Sequence, residues 1–167
     1  MRLVVSNTGP LMHLAQAQSL DLLRLSGAIH IPPAVATEAA RHISAWASAP
    51  SAWINVTSLQ PAHAIHAQSW RQAGLLDRGE AEALALARQL NADWFLTDDN
   101  AARVLAVSLG IEVHGSLGVA LWAAAGHLNR SEAETALNDL AASTLWLSAR
   151  VLKEAQDALD QIFPASN

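Results

Sequence analysis

The sequence predicts a three-layer α/β/α domain with a five-stranded parallel sheet, followed by two C-terminal helices. Short, uninterrupted apolar runs are typical of strands that are buried on both faces. These runs alternate with helical segments, which indicates a parallel sheet covered on both sides and joined by right-handed crossovers. The last segments are amphipathic helices with no strand after them, and we expect them to pack on the sheet edge or to form a dimer contact.

The expected elements follow one another without a linker, a repeat or a low-complexity tract. Strands are expected over 3–5, 28–31, 53–56 (at a sheet edge), 94–96 and 111–114. Helices are expected over 11–25 (one or two, with Ser19 as an N-cap at a break), 34–46, 60–74, 77–90, 101–109, 117–125, 131–142 and 148–162. A turn is expected over 48–51. The prediction is therefore one domain over 1–167, with a helical extension over about 130–163.

Composition restricts the possible functions. Charged residues make up 15% of the chain and hydrophobic residues 51%, so we expect the helices to be largely buried, partly against a second copy in a homodimer. The chain has no cysteine, which excludes disulfides, thiolate chemistry and cysteine-based zinc sites. A net charge of −5, with Lys153 as the single lysine, disfavours non-specific duplex binding but allows a local arginine-lined groove.

The N-terminal segment predicts the location of the protein. Its apolar run is short and is broken by polar residues, glycine and proline. It therefore lacks the length of a signal peptide or of a membrane span. We expect a cytoplasmic protein without a membrane partner.

The stretch from Asp77 to Asp99 organises the predicted site. It places acids at both ends of a helix–strand unit. In a parallel sheet, a helix that precedes a strand begins near the edge where that strand ends, so both acid clusters are expected at one edge. Carboxylates gathered in this way are unfavourable unless protons or a metal ion compensate them.

Two glutamates at the start of this helix differ in what they predict. Glu80 lies three residues after Asp77, so it is either the partner in a capping box or a site residue. Glu82 lies about 200° around the helix from Glu80, among alanines and leucines. A carboxylate in such surroundings needs a partner or a metal, and we interpret Glu82 as a site residue.

Other polar residues are expected at the same edge. Asn7 follows the first strand, at a position where open α/β sheets bind ligands, although it is also an ordinary turn residue. Glu38 lies in the second turn of a helix, where a solvated carboxylate is the alternative interpretation. The full candidate set comprises Asn7, Glu38, Glu80, Glu82, Asp98 and Asp99. Oxygen ligands of this kind suit Mg²⁺ or Mn²⁺, and such an ion supports hydrolysis of a phosphoester.

Several segments resemble the PIN-domain family, and the resemblance extends from the first strand to about Leu152. They are VVSNTGPL, IPPAVATE, LDRGEAEALALA, FLTDDNAAR and GIEVHGSLG. The resemblance implies a parallel five-stranded sheet between helices, with an acidic pocket at the strand ends. It also implies a metal-dependent ribonuclease acting on single-stranded or structured RNA, and many members are toxins paired with an antitoxin encoded as a separate chain.

The resemblance also implies a role for each matching residue. The family's four acids fall on Asn7, Glu38, Glu82 (with Glu80 beside it) and Asp99 (with Asp98 beside it). Thr8 and Thr97 match the hydroxyl residues that flank the first and fourth acids, and are expected at the substrate. Asn7 departs from the family because an amide oxygen carries no charge, which predicts weaker metal binding.

Two functions therefore stay open. One is a Mg²⁺- or Mn²⁺-dependent endoribonuclease that uses Glu38, Glu82 and Asp99, with Asn7 as a supporting ligand. The other is a catalytically weakened PIN-fold protein that binds a protein or RNA. A phospho-receiver domain is disfavoured because the only lysine, Lys153, lies beyond the last strand.

The remaining candidates are weaker. Arg103 lies one turn after Asp99, where it either contacts an RNA phosphate or pairs with an acid of the cluster. His63 and His66 are spaced to share a metal, but nothing in the sequence completes their site. The six tryptophans are interpreted as core or interface residues, and base stacking by Trp46 or Trp70 has no support in the sequence.

Overall fold

The computed structural model describes residues 1–46 and 52–165. The predicted turn over 48–51 lies outside these residues. The described elements are, in chain order, β1 (Leu3–Ser6), α1 (Thr8–Gln16), α2 (Leu22–Ser26), β2 (Ala28–Ile31), α3 (Pro33–His42), β3 (Ile54–Val56), α4 (Pro61–Gln72), α5 (Arg78–Gln89), β4 (Trp94–Leu96), α6 (Asn100–Ser108), β5 (Val113–His114), α7 (Ser116–Gly126), α8 (Arg130–Ala142) and α9 (Ala149–Ile162).

The five strands form one parallel sheet in the order β3-β2-β1-β4-β5, with helices on both faces. This confirms the predicted fold class, and it confirms that β3 lies at an edge. The chain runs outward from β1 through β2 to β3 and then crosses to β4 on the other side of β1. The carboxyl ends of β1 and β4 are therefore neighbours at the point where the strand order reverses, which is where open α/β sheets form a crevice.

The core explains why the central strands are uninterrupted apolar runs. Val4, Val5, Phe95 and Leu96 are completely buried because helices cover both faces of the sheet. The buried residues of α5 are mainly alanine and leucine, so this helix lies close to the sheet. The acidic start of α5 is thereby held near the carboxyl ends of β1 and β4.

Some predicted boundaries differ from the structure. Ser19 is not an N-cap, because α1 ends at Gln16 and Asp21 occupies the N-cap position of α2. The helix α3 ends at His42 rather than 46, because Ile43 adopts an extended conformation with its side chain buried in the core. The strand β5 is shorter than the predicted 111–114.

The two C-terminal helices pack mainly against α7 and against each other, rather than on the sheet edge. They form a second small core with α7, which contains Ala124, Ala133, Leu137, Ala155 and Leu159. The reason is that α7 carries apolar residues on two faces, one toward the main core and one toward α8 and α9. Within the described ranges, the helices fall short of the length and apolar character that a membrane crossing requires.

Candidate functional site

A cavity of about 350 Å³ lies at the carboxyl ends of β1 and β4. Five of its lining residues carry a carboxylate, and they come from the start of α5, from α3 and from the segment after β4. The lining consists of Asn7, Thr8, Gly9, Met12, His13, Glu38, His42, Asp77, Glu80, Asp98 and Asp99. We refer to this cavity as the acidic pocket.

Asn7 lies at the base of the acidic pocket and is only 4% exposed. Its backbone N–H donates to the carbonyl of Leu96 at 3.0 Å, and its side-chain Nδ2 donates to Thr97 Oγ1 at 2.7 Å. Its Oδ1 is buried and has no hydrogen-bond partner among the described residues. An unpaired buried acceptor costs roughly 1–3 kcal/mol, so this atom calls for a positively charged or hydrogen-bonding ligand.

Glu38 reaches the acidic pocket from α3. Its carboxylate accepts a hydrogen bond from Thr8 Oγ1. It also lies directly against the backbone of Gly79, where an added Cβ atom would be 2.5 Å from Glu38 Oε2. The position of Glu38 therefore depends on a hydroxyl at the start of α1 and on the absence of a side chain at the start of α5.

Asp99 and Glu80 are held in the acidic pocket by helix capping. Asp99 Oδ1 accepts from the N–H of Ala102 at 2.7 Å and caps α6. At α5, the N–H of Glu80 donates to Asp77 Oδ1 at 2.8 Å, and the N–H of Asp77 donates to Glu80 Oε2 at 3.1 Å. Glu80 is thus both a capping-box residue and a pocket residue, and the two interpretations from the sequence do not exclude each other.

The electrostatic surroundings of Glu80 reflect this gathering of acids. Burial raises the pKa of Glu80, against a hydrogen bond from the Asp77 backbone that lowers it. The negative charges of Asp77, Asp99 and Glu38 raise the pKa further. Burial is the largest cause of the raised pKa, and repulsion from the neighbouring carboxylates adds to it.

Asp98 differs from Asp99 because both of its carboxylate oxygens have hydrogen-bond partners in other elements. His13 Nδ1 lies 2.7 Å from its Oδ2, and Ser116 donates to it from the backbone N–H at 2.7 Å and from Oγ at 2.5 Å. Burial raises the pKa of Asp98, but these hydrogen bonds outweigh it and the pKa is lowered overall. Asp98 therefore joins β4 to α1 and α7 while it also lines the acidic pocket, and its binding of a metal stays a prediction.

Glu82 is not in the acidic pocket. Its carboxylate accepts a hydrogen bond from Arg78 Nε at 2.9 Å, within the first turns of α5. The capping box directs Glu80 toward the pocket, so a residue about 200° further around the helix points away. The expected placement of Glu82 in the pocket is therefore wrong, and Glu80 lines the pocket instead. The catalytic and metal-binding roles of both residues stay predictions.

The three residues expected at the substrate have different surroundings. Thr8 is bonded to Glu38, while Thr97 is fully buried and its Oγ1 accepts from Asn7 and, at 3.1 Å, from the N–H of Asp99. Both threonines therefore position site residues. Arg103 donates only to the carbonyl of Thr97, at 3.4 Å, and forms no ion pair with any carboxylate in the described ranges.

The sequence predicts a divalent metal ion at these side chains. Among residues 1–46 and 52–165, no three Asp, Glu or His side chains are arranged to hold a metal ion. Glu38, Glu80 and Asp99 each accept a local hydrogen bond instead. The donor set nevertheless fits a hard divalent cation, because the unpaired Asn7 Oδ1 shares the pocket with the carboxylates of Glu38, Glu80 and Asp99.

Sequence reasoning missed three residues that shape the site. His13 and Ser116 hold Asp98, but they lie 85 and 18 positions away from it, and no local pattern signals such partners. Gly79 was inside a recognised segment, between Asp77 and Glu80. A glycine at this position indicates that another residue approaches the backbone closely, and this was the available signal.

Fold and site together define a parallel α/β protein with an oxygen-rich acidic pocket at its topological switch point. A family model described as a PIN domain matches residues 3–161, and the chain belongs to this family. Proteins of this family are generally nucleases, and they typically use divalent metals. No curated protein matches the chain significantly.

Proposed function

We propose that this protein is a Mg²⁺- or Mn²⁺-dependent endoribonuclease that hydrolyses RNA phosphodiesters in the acidic pocket. The observation that supports it most directly is the buried, unpaired Oδ1 of Asn7, a residue that lines the same pocket as five carboxylates. A cation is the ligand that satisfies this atom and the carboxylates of Glu38 and Asp99 at the same time. Asn7, Glu38 and Asp99 would hold the ion, with Glu80 beside them.

The chemistry follows from the residues around the pocket. A bound divalent ion would supply charge neutralisation for the phosphate and a lowered pKa for an attacking water. Glu80 lies in the same pocket as the proposed ligands, and its carboxylate is suited to accept the proton of that water as a general base. Thr8 and Thr97 keep Glu38 and Asn7 in place. No covalent enzyme intermediate is needed.

Metal-dependent cleavage of labelled single-stranded RNA tests this proposal. We expect cleavage with MnCl₂ or MgCl₂, none with EDTA, and loss of cleavage in Glu80→Gln and Asp99→Asn. Glu82→Gln is the matched control on the same helix, because its partner is Arg78 rather than the pocket. Cleavage that persists in EDTA, or equally in all three variants, would contradict the assignment.

Two observations favour a second function. No three of the described Asp, Glu and His side chains are arranged to hold a metal ion, and Asn7 lacks the charge of an aspartate. A PIN-fold protein that no longer cleaves and instead binds a protein or RNA is consistent with both facts. Calorimetry separates the two functions: heat of Mn²⁺ binding that disappears in Asp99→Asn supports the nuclease, and its absence at millimolar metal supports the binding module.

A role as the toxin of a toxin–antitoxin pair is the finer form of this proposal. Expression of the chain would then arrest growth, and the product of a neighbouring gene would relieve the arrest. Expression of Asp99→Asn is the control, because it removes the charge of a proposed ligand and keeps the helix cap. Growth arrest by this variant would mean that the toxicity is unrelated to the acidic pocket.

A homodimer remains part of the proposal. The described surface carries exposed apolar side chains on α6, where Val104 and Val107 are 62% and 61% exposed, and on α4, where Ile65 is 62% exposed. Such residues lower the free energy of a system when a second surface covers them. Light scattering that gives the mass of a monomer at micromolar concentration would contradict the homodimer.

A further inference from the structure

Trp146 is unlike the other tryptophans of the chain. The five others are buried or pack against the main core, whereas Trp146 is 83% exposed. A tryptophan carries a large apolar surface, and leaving it in water forgoes the stabilisation that burial provides. Its exposure therefore suggests that it serves as a contact surface for a ligand.

The segment that carries Trp146 is anchored on both sides. Before it, the backbone N–H and Oγ1 of Thr144 donate to Gln16 Oε1 at 3.0 and 2.8 Å, and Leu145 packs against the main core. After it, Ser148 Oγ accepts from the N–H of Val151 at 3.1 Å and caps α9. Trp146 is thus presented by an ordered segment, which lowers the entropic cost of binding something against its ring.

Trp146 borders a groove next to the acidic pocket. The groove has a volume of about 400 Å³ and runs between β5, the start of α7 and the segment before α9. Its lining includes Asp98, Arg103, His114 and Trp146. Since Asp98 also lines the acidic pocket, the two cavities share a wall. We refer to this second cavity as the Trp146 groove.

Arg103 gives the Trp146 groove one position for an anion. Arg103 has no carboxylate partner in the described part of the chain, and its Nη2 lies so near Gly115 that an added Cβ would be 3.0 Å away. The nearby carboxylate of Asp98 is already compensated by His13 and Ser116. A guanidinium without a carboxylate partner and an exposed indole that line the same groove are the combination that holds a phosphate and stacks a base.

We propose that the Trp146 groove is a subsite for one unpaired nucleotide of single-stranded RNA, adjacent to the phosphate in the acidic pocket. The base stacks on Trp146 and its phosphate pairs with Arg103. The subsite rests on the proposed nuclease function for its substrate class. A protein partner would also cover an exposed tryptophan, but it would not explain why Arg103, which has no carboxylate partner in the described residues, and the acidic pocket adjoin the same groove.

Binding of a short oligouridylate in EDTA tests the subsite, because the proposed cleavage is switched off under these conditions. Fluorescence anisotropy of the labelled RNA gives the affinity. Loss of one base–aromatic stack in Trp146→Ala is expected to weaken binding roughly 5- to 150-fold, whereas Trp146→Phe retains most of the affinity. The uridines are then replaced by an abasic nucleotide, one at a time. At one position of the RNA, this replacement should make the affinities of wild type and Trp146→Ala equal, because the base that stacks on Trp146 is missing.

Arg103→Gln should weaken binding and reduce the slope of log affinity against log salt by about 1. Arg150→Gln is its matched control, because Arg150 is an exposed arginine on α9 that pairs with Glu154. A duplex of the same length should bind more weakly than the single strand, since its bases are not free to stack.

The outcomes separate the subsite from the nuclease function. Weaker binding in Trp146→Ala, together with no metal-dependent cleavage by the wild type, supports the groove and contradicts the nuclease. Cleavage by the wild type with unchanged RNA binding in Trp146→Ala and Arg103→Gln overturns the groove and assigns Trp146 to a protein contact. Absence of RNA binding by the wild type, or equal binding of the duplex, also overturns the groove.

Discussion

The carboxylate of Glu38 lies against the backbone of Gly79, so closely that a Cβ atom at residue 79 would be 2.5 Å from one of its oxygens. The contact joins the second turn of α3 to the first turn of α5. It involves the far end of a flexible side chain, which can move away without disturbing the fold. Gly79 therefore controls the position of an acid without taking part in any chemistry itself.

Gly79→Ala is expected to displace Glu38 and to lower RNA cleavage by about 100-fold, the effect of a misplacement of roughly 1 Å at a catalytic group. The free energy of unfolding should change little, because alanine is a better helix former than glycine. Metal-dependent cleavage and urea unfolding measure the two effects. Gly126→Ala is the matched control, since nothing lies within 4 Å of its Cβ position. Equal cleavage by both variants would contradict the role of this contact.

Asn7→Asp should strengthen metal binding, because it adds a charge next to the carboxylates that share the pocket. In the absence of metal the same change should lower the free energy of unfolding by about 1–3 kcal/mol, since a buried carboxylate among acids is unfavourable and the bond from Nδ2 to Thr97 is lost. Calorimetry with Mn²⁺ and thermal unfolding in EDTA measure both. Unchanged Mn²⁺ affinity would mean that Asn7 does not face the ion.

Asp98→Asn and Asp99→Asn should separate stability from function. Asp98→Asn breaks the network with His13 and Ser116, and is expected to lower the free energy of unfolding by about 2–4 kcal/mol. Asp99→Asn keeps a good N-cap for α6 and should leave stability nearly unchanged while abolishing Mn²⁺ binding. Urea unfolding and calorimetry provide the measurements. Loss of Mn²⁺ binding in Asp98→Asn, with a lower free energy of unfolding in Asp99→Asn, would contradict both assignments.

Glu80→Gln should abolish cleavage, with a loss of roughly 10²- to 10⁴-fold if Glu80 is the general base. Glutamine preserves the capping box at α5, so stability at neutral pH should not fall. Glu82→Gln, which weakens only the pair with Arg78, should change the free energy of unfolding by less than about 1 kcal/mol and leave cleavage unchanged. Loss of cleavage in Glu82→Gln alone would restore the assignment made from the sequence.

The metal-free protein should lose stability as the pH rises from 4.5 through the raised pKa of Glu80. The folded state holds the proton of Glu80 more tightly than the unfolded state, so its contribution is fully present below 4.5 and disappears once Glu80 ionises. The difference in free energy of unfolding between wild type and Glu80→Gln, measured in EDTA from about pH 4 to about pH 7, should follow this loss. A difference in free energy of unfolding that does not change with pH would contradict the raised pKa of Glu80. Saturating Mn²⁺ should remove the pH dependence of this difference.

Asp98 has the opposite dependence. Its lowered pKa gives a contribution to stability that is present above 3.8 and is lost as the pH falls through the folded value. Acid should therefore weaken the network with His13 and Ser116 while it relieves repulsion in the acidic pocket. Asp98→Asn, compared with wild type as the pH falls below 3.8, isolates this second effect.

The sequence predicted the sheet well because its strands are short apolar runs that are buried on both faces. The strands over 28–31 and 94–96 have the predicted limits, and the place of the acidic pocket followed from the geometry of parallel sheets. The prediction did not establish which acids face inward. The choice between Glu80 and Glu82 depends on capping geometry, and the engagement of Asp98 depends on His13, which lies 85 residues away.

The hydrogen bond between Asn7 and Thr97 joins positions 90 residues apart in the chain. During translation, no acidic pocket exists until β4 and the start of α6 have emerged from the ribosome and paired with β1. A nascent or prematurely terminated chain that stops before this point would lack Asp98 and Asp99, two of the five carboxylates of the pocket. If the protein cuts RNA, it therefore could not attack the message from which it is being made until most of its own synthesis is complete.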